Sequence, residues 1–236
     1  MSIITERDGP VAIITINRPQ ARNAVDPETA AALYDAFCDA DRDDAVLATV
    51  LTGAEGAFCA GADLTAMLSG RGLSVADDDQ PGPLGPTRLR LGKPVIAAVE
   101  GYAVAGGDAV FGVYCRRWGV PLVDGGTVRL ARLIGQSHAS DLILTGRGVS
   151  GDEALRMGLA NRVVARGEAL AAALALADEI AALPQVCLRS DRLSMLESLS
   201  LDDAAAMSNE RRRGLEVIAC GAVAEGVTAY ARSRGR

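Results

Sequence analysis

Two short runs rich in β-branched residues open the chain, and runs of helical period broken by glycine follow. Residues 2–7 and 11–16 are rich in β-branched residues and flank Asp8-Gly9-Pro10, which predicts a β-hairpin. Asp26-Pro27-Glu28 predicts a helix start, with an aspartate to cap free N–H groups, a proline at the first helical position and a glutamate at the positive end of the dipole. Ala31, Leu33, Ala36 and Phe37 would form its apolar face. Residues 45–51, ending at Thr52-Gly53, and 94–99 read as buried strands. Residues 58–64 read as a tight turn into a helix, 69–86 as a polar mobile loop, and 101–107 as a second glycine turn. Beyond Gly125 the pattern predicts helices at 127–134, 137–145 and 152–157, a short strand at 161–164, a helix at 168–182, and helices to the end. Strands mixed with helices, then helices alone, predict an α/β core with a C-terminal helical region, divided at 1–180 and 181–236.

Composition narrows the function. Hydrophobic residues make up 49% of the 236 and aromatics 3%, so Ala, Val, Leu and Ile must fill a close-packed core. A net charge of −6 argues against nucleic-acid partners, whose phosphates it would repel. The five cysteines are widely spaced, with no CxxC and no Cys/His cluster, so a zinc site is not indicated. The odd count, with no signal-peptide pattern, leads to an expectation of free thiols and a cytoplasmic protein. No apolar run approaches the roughly 20 residues a membrane span needs.

Three groups of motifs resemble the crotonases, the enoyl-CoA hydratase/isomerase superfamily. Asn17-Arg18-Pro19-Gln20-Ala21-Arg22-Asn23-Ala24 is similar to its NRPxxxNA segment. Phe58-Cys59-Ala60-Gly61-Ala62-Asp63-Leu64 resembles its first oxyanion turn, and Lys93-Pro94 through Gly106-Gly107 its second. Gly125-Gly126-Thr127, Arg132-Leu133-Ile134-Gly135 and Leu144-Thr145-Gly146-Arg147 follow in family order. The ordered set is specific where each piece alone is weak. The resemblance implies a crotonase-like ββα spiral core and an enzyme acting on an acyl-CoA thioester, with CoA carried on the substrate and no other cofactor or metal. It implies that the N–H groups of Ala62 and Gly106 hold the thioester oxygen as it gains charge. CoA would lie along Gln20, Ala21 and Arg22 and along Ala60, Ala62, Asp63, Leu64 and Thr65. It also implies a homotrimer or a hexamer closed by the C-terminal helices.

The pattern breaks at the acids. Hydratases of the family use two glutamates to activate a water and carry its proton to the α-carbon. Here Gly106-Gly107 runs straight into Asp108-Ala109-Val110-Phe111-Gly112, where the family places a helix and a strand of roughly fourteen residues. The first glutamate would fall in the missing stretch, and the second position falls on Cys115. The deletion is either real, with compensating rearrangement, or a segment of the natural protein absent from this sequence; the well-kept flanking motifs favour the latter. Asp124 is a candidate replacement acid, or else the N-cap of the helix at Thr127. Cys115 is a candidate nucleophile or an inert core thiol. Its neighbours Arg116 and Arg117 could lower its pKa, or bind phosphate or a neighbouring subunit. Two readings compete: a hydratase or isomerase, and an acyl-CoA binder that has lost its acids.

Overall fold

The N-terminal hairpin forms about the Asp8-Gly9-Pro10 turn as expected: β1 (Ile3–Asp8) pairs antiparallel with β2 (Val11–Ile16), Ile3 opposite Ile16. This is a computed structural model, and it describes residues 1–70, 81–101 and 108–234. β3 (Ala48–Gly53) and β4 (Val95–Ala97) add in parallel, giving a sheet of order β1-β2-β3-β4. The period of two divides β2 between two cores. Ile14 and Ile16 meet Ala30, Leu33 and Phe37 of α1 (Pro27–Arg42) on one face. Val11, with Ala48, Val50 and Ala98, meets Ala173 and Ala177 of α5 (Ala169–Ala181) on the other. Alanines on α5 let that helix lie close to the sheet, which is how a chain poor in aromatics fills its core.

Two sequence expectations shift here. The buried stripe of α1 is Ala30, Leu33, Phe37 and Ala40, while Ala31 is exposed, because spacings of three and four keep residues on one face and Ala31 lies a third of a turn away. In the run at 94–99 the strand is only Val95–Ala97 and is partly exposed, and the buried residues, Ala98 and Val99, lie just beyond it. β4 is the last strand of the sheet, so Val95 is 38% exposed while Ala98 and Val99 are buried.

A second body follows. β5 (Val110–Gly112) pairs antiparallel with β6 (Gly148–Ser150). α3 (Gly126–Thr145) contains a break at Gly135 (φ 78°, ψ 156°), so the two helices expected at 127–134 and 137–145 are halves of one bent element. α4 (Gly151–Met157) is capped by Ser150. Phe111, Ile134, Leu142, Val149 and Ala154 form their common core. The stretch 161–164 is not a strand; it contributes a single bridge residue at Val164. The Val110 N–H donates to the Gly101 carbonyl at 2.9 Å, so the chain leaving β4 returns within nine residues. Residues 102–107, including Gly106, lie outside the described residues.

The chain ends in α6 (Gln185–Ser198), α7 (Asp203–Ala219) and α8 (Ala222–Arg234). Glu197 on α6 accepts from Arg213 (2.5 and 2.8 Å) and Asn209 (2.8 Å) on α7. The Arg213 bonds, then the Asn209 bond, hold its carboxyl down at about 2. Among the described residues no single helix is long and apolar enough to cross a membrane.

Lys93 fixes where β4 begins. It is only 3% exposed, and its Nζ donates to the carbonyls of Ala40 (2.9 Å) and Asp43 (2.6 Å) at the end of α1, the negative end of the helix dipole. The main-chain N–H groups of Gly92 and Lys93 donate back to the Asp41 carboxylate at 3.1 and 3.0 Å. Lys93→Met is therefore expected to cost about 2–3 kcal/mol, the worth of hydrogen bonds from a charged donor. A fall in the urea midpoint at unchanged m-value checks it.

Candidate active site

The turn at Ala62 is built from the segment before α1. Asn23 is fully buried in the left-handed region (φ 56°), a conformation asparagine tolerates better than most residues. Its Oδ1 accepts from the Arg18 N–H (2.8 Å), and its Nδ2 donates to the carbonyls of Ala54 (2.9 Å) and Ala57 (2.6 Å). Gly53 permits this loop, since a Cβ there would lie 2.1 Å from the Ala57 carbonyl. Next, the Ala60 N–H donates to Arg22 (3.0 Å), Val25 donates to Gly61 (2.8 Å), and Asp63 donates to Val25 (2.9 Å). The bonds at Gly61 and Asp63 occupy one side of the extended backbone, so the Ala62 N–H faces the other. It makes no hydrogen bond to any described residue.

Arg18 fixes the far side of the turn. Its guanidinium pairs with Asp26 (2.9 Å) and Asp63 (3.0 Å) and donates to the Ala24 carbonyl; the three charged side chains are 12–16% exposed. Each aspartate also caps a helix. Asp26 accepts from Thr29 (2.8 Å) at α1, and Asp63 accepts from Thr65 (2.9 Å) and Ala66 (3.2 Å) at α2 (Leu64–Leu68). Burial alone would raise the Asp63 carboxyl. The Arg18 hydrogen bond, the two N–H groups and the Arg18 charge outweigh burial and leave it below its usual value of 3.8. Asp26 is lowered by the same balance, with Thr29 and Arg18 opposing burial. The Asp63 side chain, expected beside CoA, is thus committed to Arg18 and the cap, and only its main chain remains for a ligand.

Other expected residues fall into place around this turn. Gln20 and Ala21 lie on a 3-10 turn (Pro19–Ala21), and the bond from Ala60 to Arg22 sets that segment beside the Ala60–Asp63 backbone. Leu64 and Thr65 are exposed at the start of α2. The Phe58 N–H donates to Glu100 (2.9 Å), whose carboxylate accepts from Ala169 (2.9 Å) at the start of α5. Gly101 (φ 68°) lies so close to the first loop that a Cβ would be 2.5 Å from the Gly56 carbonyl. The chain therefore enters the second glycine turn against the first. Gly106 itself lies outside the described residues.

Asp124 is not a helix cap, contrary to one of the two expectations. α3 begins at Gly126 with Gly125 (φ 77°) at its cap position and no side-chain cap bond, because the left-handed glycine turns the chain before Asp124 can reach the first N–H groups. Both Asp124 carboxylate oxygens are out of contact with solvent, and neither accepts a hydrogen bond from any described residue. They face the loop before β4. A Cβ at Gly82 would lie 2.9 Å from Asp124 Oδ1 and 2.2 Å from Thr87 Oγ1. Contrary to the mobile-loop expectation, the part of that loop at 81–86 is packed, with Gly82, Pro83 and Gly85 buried. Leu84 and Leu89 join the cluster that contains Val25, so the loop is braced on the residue that holds Ala62. Residues 71–80, including Asp77-Asp78-Asp79, lie outside the described residues.

Cys115 lies half-buried in a 3-10 turn (Tyr114–Trp118). Arg116 and Arg117 donate to the carbonyls of Ile143 (3.3 Å) and Gly146 (3.1 Å) at the C-terminal end of α3, and Arg117 also stacks on Tyr114 at 5.0 Å. Their hydrogen bonds go to a helix end. His138 is exposed. Among the described residues no group of three or more His, Cys, Asp or Glu could hold a metal.

Comparison with known proteins agrees with this arrangement. Residues 6–235 match the family model described as enoyl-CoA hydratase/isomerase. The chain is 36% identical to the Mycobacterium tuberculosis enoyl-CoA hydratase EchA19, over 98% of the chain and 94% of that protein. It is 34% identical to the Syntrophomonas wolfei crotonyl-CoA hydratase, over 99% and 96%. Among solved structures it superposes on the Mycobacterium marinum enoyl-CoA hydratase EchA1 with a TM-score of 0.92, at 32% identity and over 98% and 96% of the two chains. The mixed α/β fold with C-terminal helices is that of these hydratase structures. The alignment to EchA19 spans 252 positions against 236 residues, so at least 16 positions have no residue in this chain.

The lowered carboxyls give this network a pH signature. Groups with depressed folded pKa values contribute stability that is present above about pH 4 and lost as pH falls through those folded values. In Arg18→Gln the two carboxyls lose their cation but keep the Thr29, Thr65 and Ala66 bonds, so stability is lower at pH 7 and the urea midpoint falls less steeply than in wild type as pH drops below about 4.

Proposed function

The chain belongs to the enoyl-CoA hydratase/isomerase family, and we propose that it hydrates an unsaturated acyl-CoA at the Ala62 turn with Asp124 as its proton-transfer acid. The observation that carries this reading is the pair of buried, unpartnered oxygens on Asp124. A carboxylate kept from both water and hydrogen-bond donors is costly unless it serves a ligand or a proton. It stands where both glutamates expected from the resemblance are missing.

The chemistry follows from charge. The thioester oxygen accepts from the Ala62 N–H, and from Gly106 as the second donor. Asp124 takes a proton from water as the water oxygen bonds to the β-carbon, and the double-bond electrons move toward the thioester oxygen. Asp124 then returns that proton to the α-carbon, the carbonyl re-forms, and a 3-hydroxyacyl-CoA leaves. One carboxylate serves as base and then as acid, so atoms and charge balance without a second glutamate. The CoA portion runs along Gln20, Ala21 and Arg22 and the main chain of Ala60–Thr65, with no further cofactor. A single carboxylate also suits isomerisation, which moves one proton between two carbons, and that is the second reading.

The C-terminal helices expose Met195, Leu199, Met207, Leu215, Ile218 and Val227, an apolar surface of the kind that closes an oligomer. We assign residues 181–236 to assembly of a homotrimer or a hexamer. The free thiols, with Cys59 pushed up by burial, suit a reducing cytoplasm.

Asp124→Asn is expected to lower kcat on crotonyl-CoA by about 10²–10⁴-fold with KM little changed, while Cys115→Ala stays within about threefold. Loss of the enoyl-thioester absorbance measures both, and wild-type turnover in Asp124→Asn sinks the assignment. Light scattering is expected to give three or six times the 24.4 kDa chain mass. Leu215→Asp, which sets a charge in the proposed interface, is expected to shift the protein toward the monomer.

A further inference from the structure

Three of the four main-chain N–H groups from Ala60 to Asp63 are taken up inside the protein, and the Ala62 N–H has no partner among the described residues. Ala60 donates to the Arg22 carbonyl (3.0 Å) and Asp63 to the Val25 carbonyl (2.9 Å). The Gly61 N–H differs in kind, since a side chain holds it: it donates to Cys59 Sγ at 3.3 Å. The Gly61 carbonyl accepts from the Val25 N–H (2.8 Å). Carbonyl and N–H point in opposite directions across a trans peptide, so this last bond turns the Ala62 N–H away from Val25 and toward the unpaired face.

Gly61 is the soft point of the turn. Its φ is 89°, a Cβ there would meet nothing within 4 Å, and without a Cβ both of its torsions turn at little cost. Held only at its carbonyl, Gly61 would let the Ala62 peptide rock. Held at its N–H as well, it is fixed on both sides. The thiol is half-buried, and burial pushes it up, so the sulfur stays an uncharged acceptor rather than a nucleophile. Cys59 also packs against the cluster that contains Val25, so a role in volume alone is the alternative to exclude.

We propose that Cys59 is a positioning residue for the oxyanion donor: by accepting the Gly61 N–H, its sulfur fixes the direction in which the Ala62 N–H meets the thioester oxygen. This rests on the reading of Ala62 as that donor and is independent of Asp124. A weak acceptor is enough, because misplacing a reacting group by about 1 Å costs on the order of 100-fold in rate.

Two readouts separate this role from packing. One is hydration of crotonyl-CoA. The other is the infrared carbonyl stretch of bound butyryl-CoA labelled with ¹³C at the thioester, which falls when a donor bonds to the oxygen and needs no acid. In wild type the stretch is expected to lie below that of free butyryl-CoA. Cys59→Val, which fills the space without an acceptor, is expected to lower the hydration kcat by about 5–50-fold with KM within about threefold. It is also expected to return the stretch part of the way to the free value. Cys59→Ser, whose hydroxyl can accept from the N–H two residues on, is expected to restore both. Asp124→Asn is expected to lower kcat with the stretch unchanged.

Wild-type values of kcat and stretch in Cys59→Val overturn the role of Cys59 and leave Ala62 standing. A lower kcat with the wild-type stretch also overturns it, because the residue then acts through packing, and so does failure of Cys59→Ser to restore the stretch. If the wild-type stretch is no lower than that of free butyryl-CoA, Ala62 is not the donor and this proposal falls with it. Should Cys59→Val not fold, Cys59→Ala takes its place, and a stretch equal to wild type there overturns the proposal.

Discussion

The guanidinium of Arg18 is the charge around which the site backbone is arranged. Two helices that begin far apart in sequence, α1 and α2, have cap aspartates turned toward the same cation. Ions this little exposed are stable only as a complete set, since removing one leaves the others desolvated without compensation. The set therefore acts as a register. Once Asp26 and Asp63 meet Arg18, Val25 must lie against Gly61 and Asp63, and the Ala62 N–H must face away from that pairing. Asn23 does for the preceding loop what Arg18 does for the following helix. The catalytic geometry assigned to the turn is thus set by side chains that need not touch substrate.

This separation lets the Ala62 turn keep its geometry whether or not a further segment follows Gly107. An oxyanion donor taken from the main chain depends on turn geometry, and that geometry is held from the α1 side by residues 18–26. Nothing in it depends on the segment between the second glycine turn and β5. Among the described residues the sheet ends at β4 with Val95 partly exposed, and the Val110 N–H donates to the Gly101 carbonyl. The break after Gly107 removes the place from which one acid was expected to come.

The sequence was legible where local chemistry decides structure. Asp26-Pro27 marked the first turn of α1 to the residue, because capping and the fixed φ of proline are local effects. Gly135 marked the break in α3 for the same reason. The crotonase resemblance rested on ordered glycine turns, whose backbone demands are also local. Reading failed where a neighbour distant in sequence decides. The exposure of β4 depends on which strand lies beside it, and a run of apolar residues carries no record of that. Asp124 followed by Gly-Gly-Thr has the composition of a helix cap; that the left-handed Gly125 takes the position is a matter of dihedral angles. The packing of residues 81–86 on α1 gave no signal either, because the composition of that stretch suggested a mobile loop.

The proposed relocation of the acid to Asp124 fits the same division of labour. A backbone oxyanion site constrains where the thioester oxygen lies and how the adjacent carbons point, but not which element supplies the base. Any carboxylate that reaches the face of those carbons, with water excluded around it, can move the proton. Asp124 arrives just ahead of α3, an element anchored through its own core of Ile134, Leu142 and Val149 and independent of the sheet edge. The loop that meets it is anchored on α1, the helix that also positions the turn. The proposed acid and oxyanion donor are therefore both tied to α1, one through the loop that packs on it and the other through the segment before it.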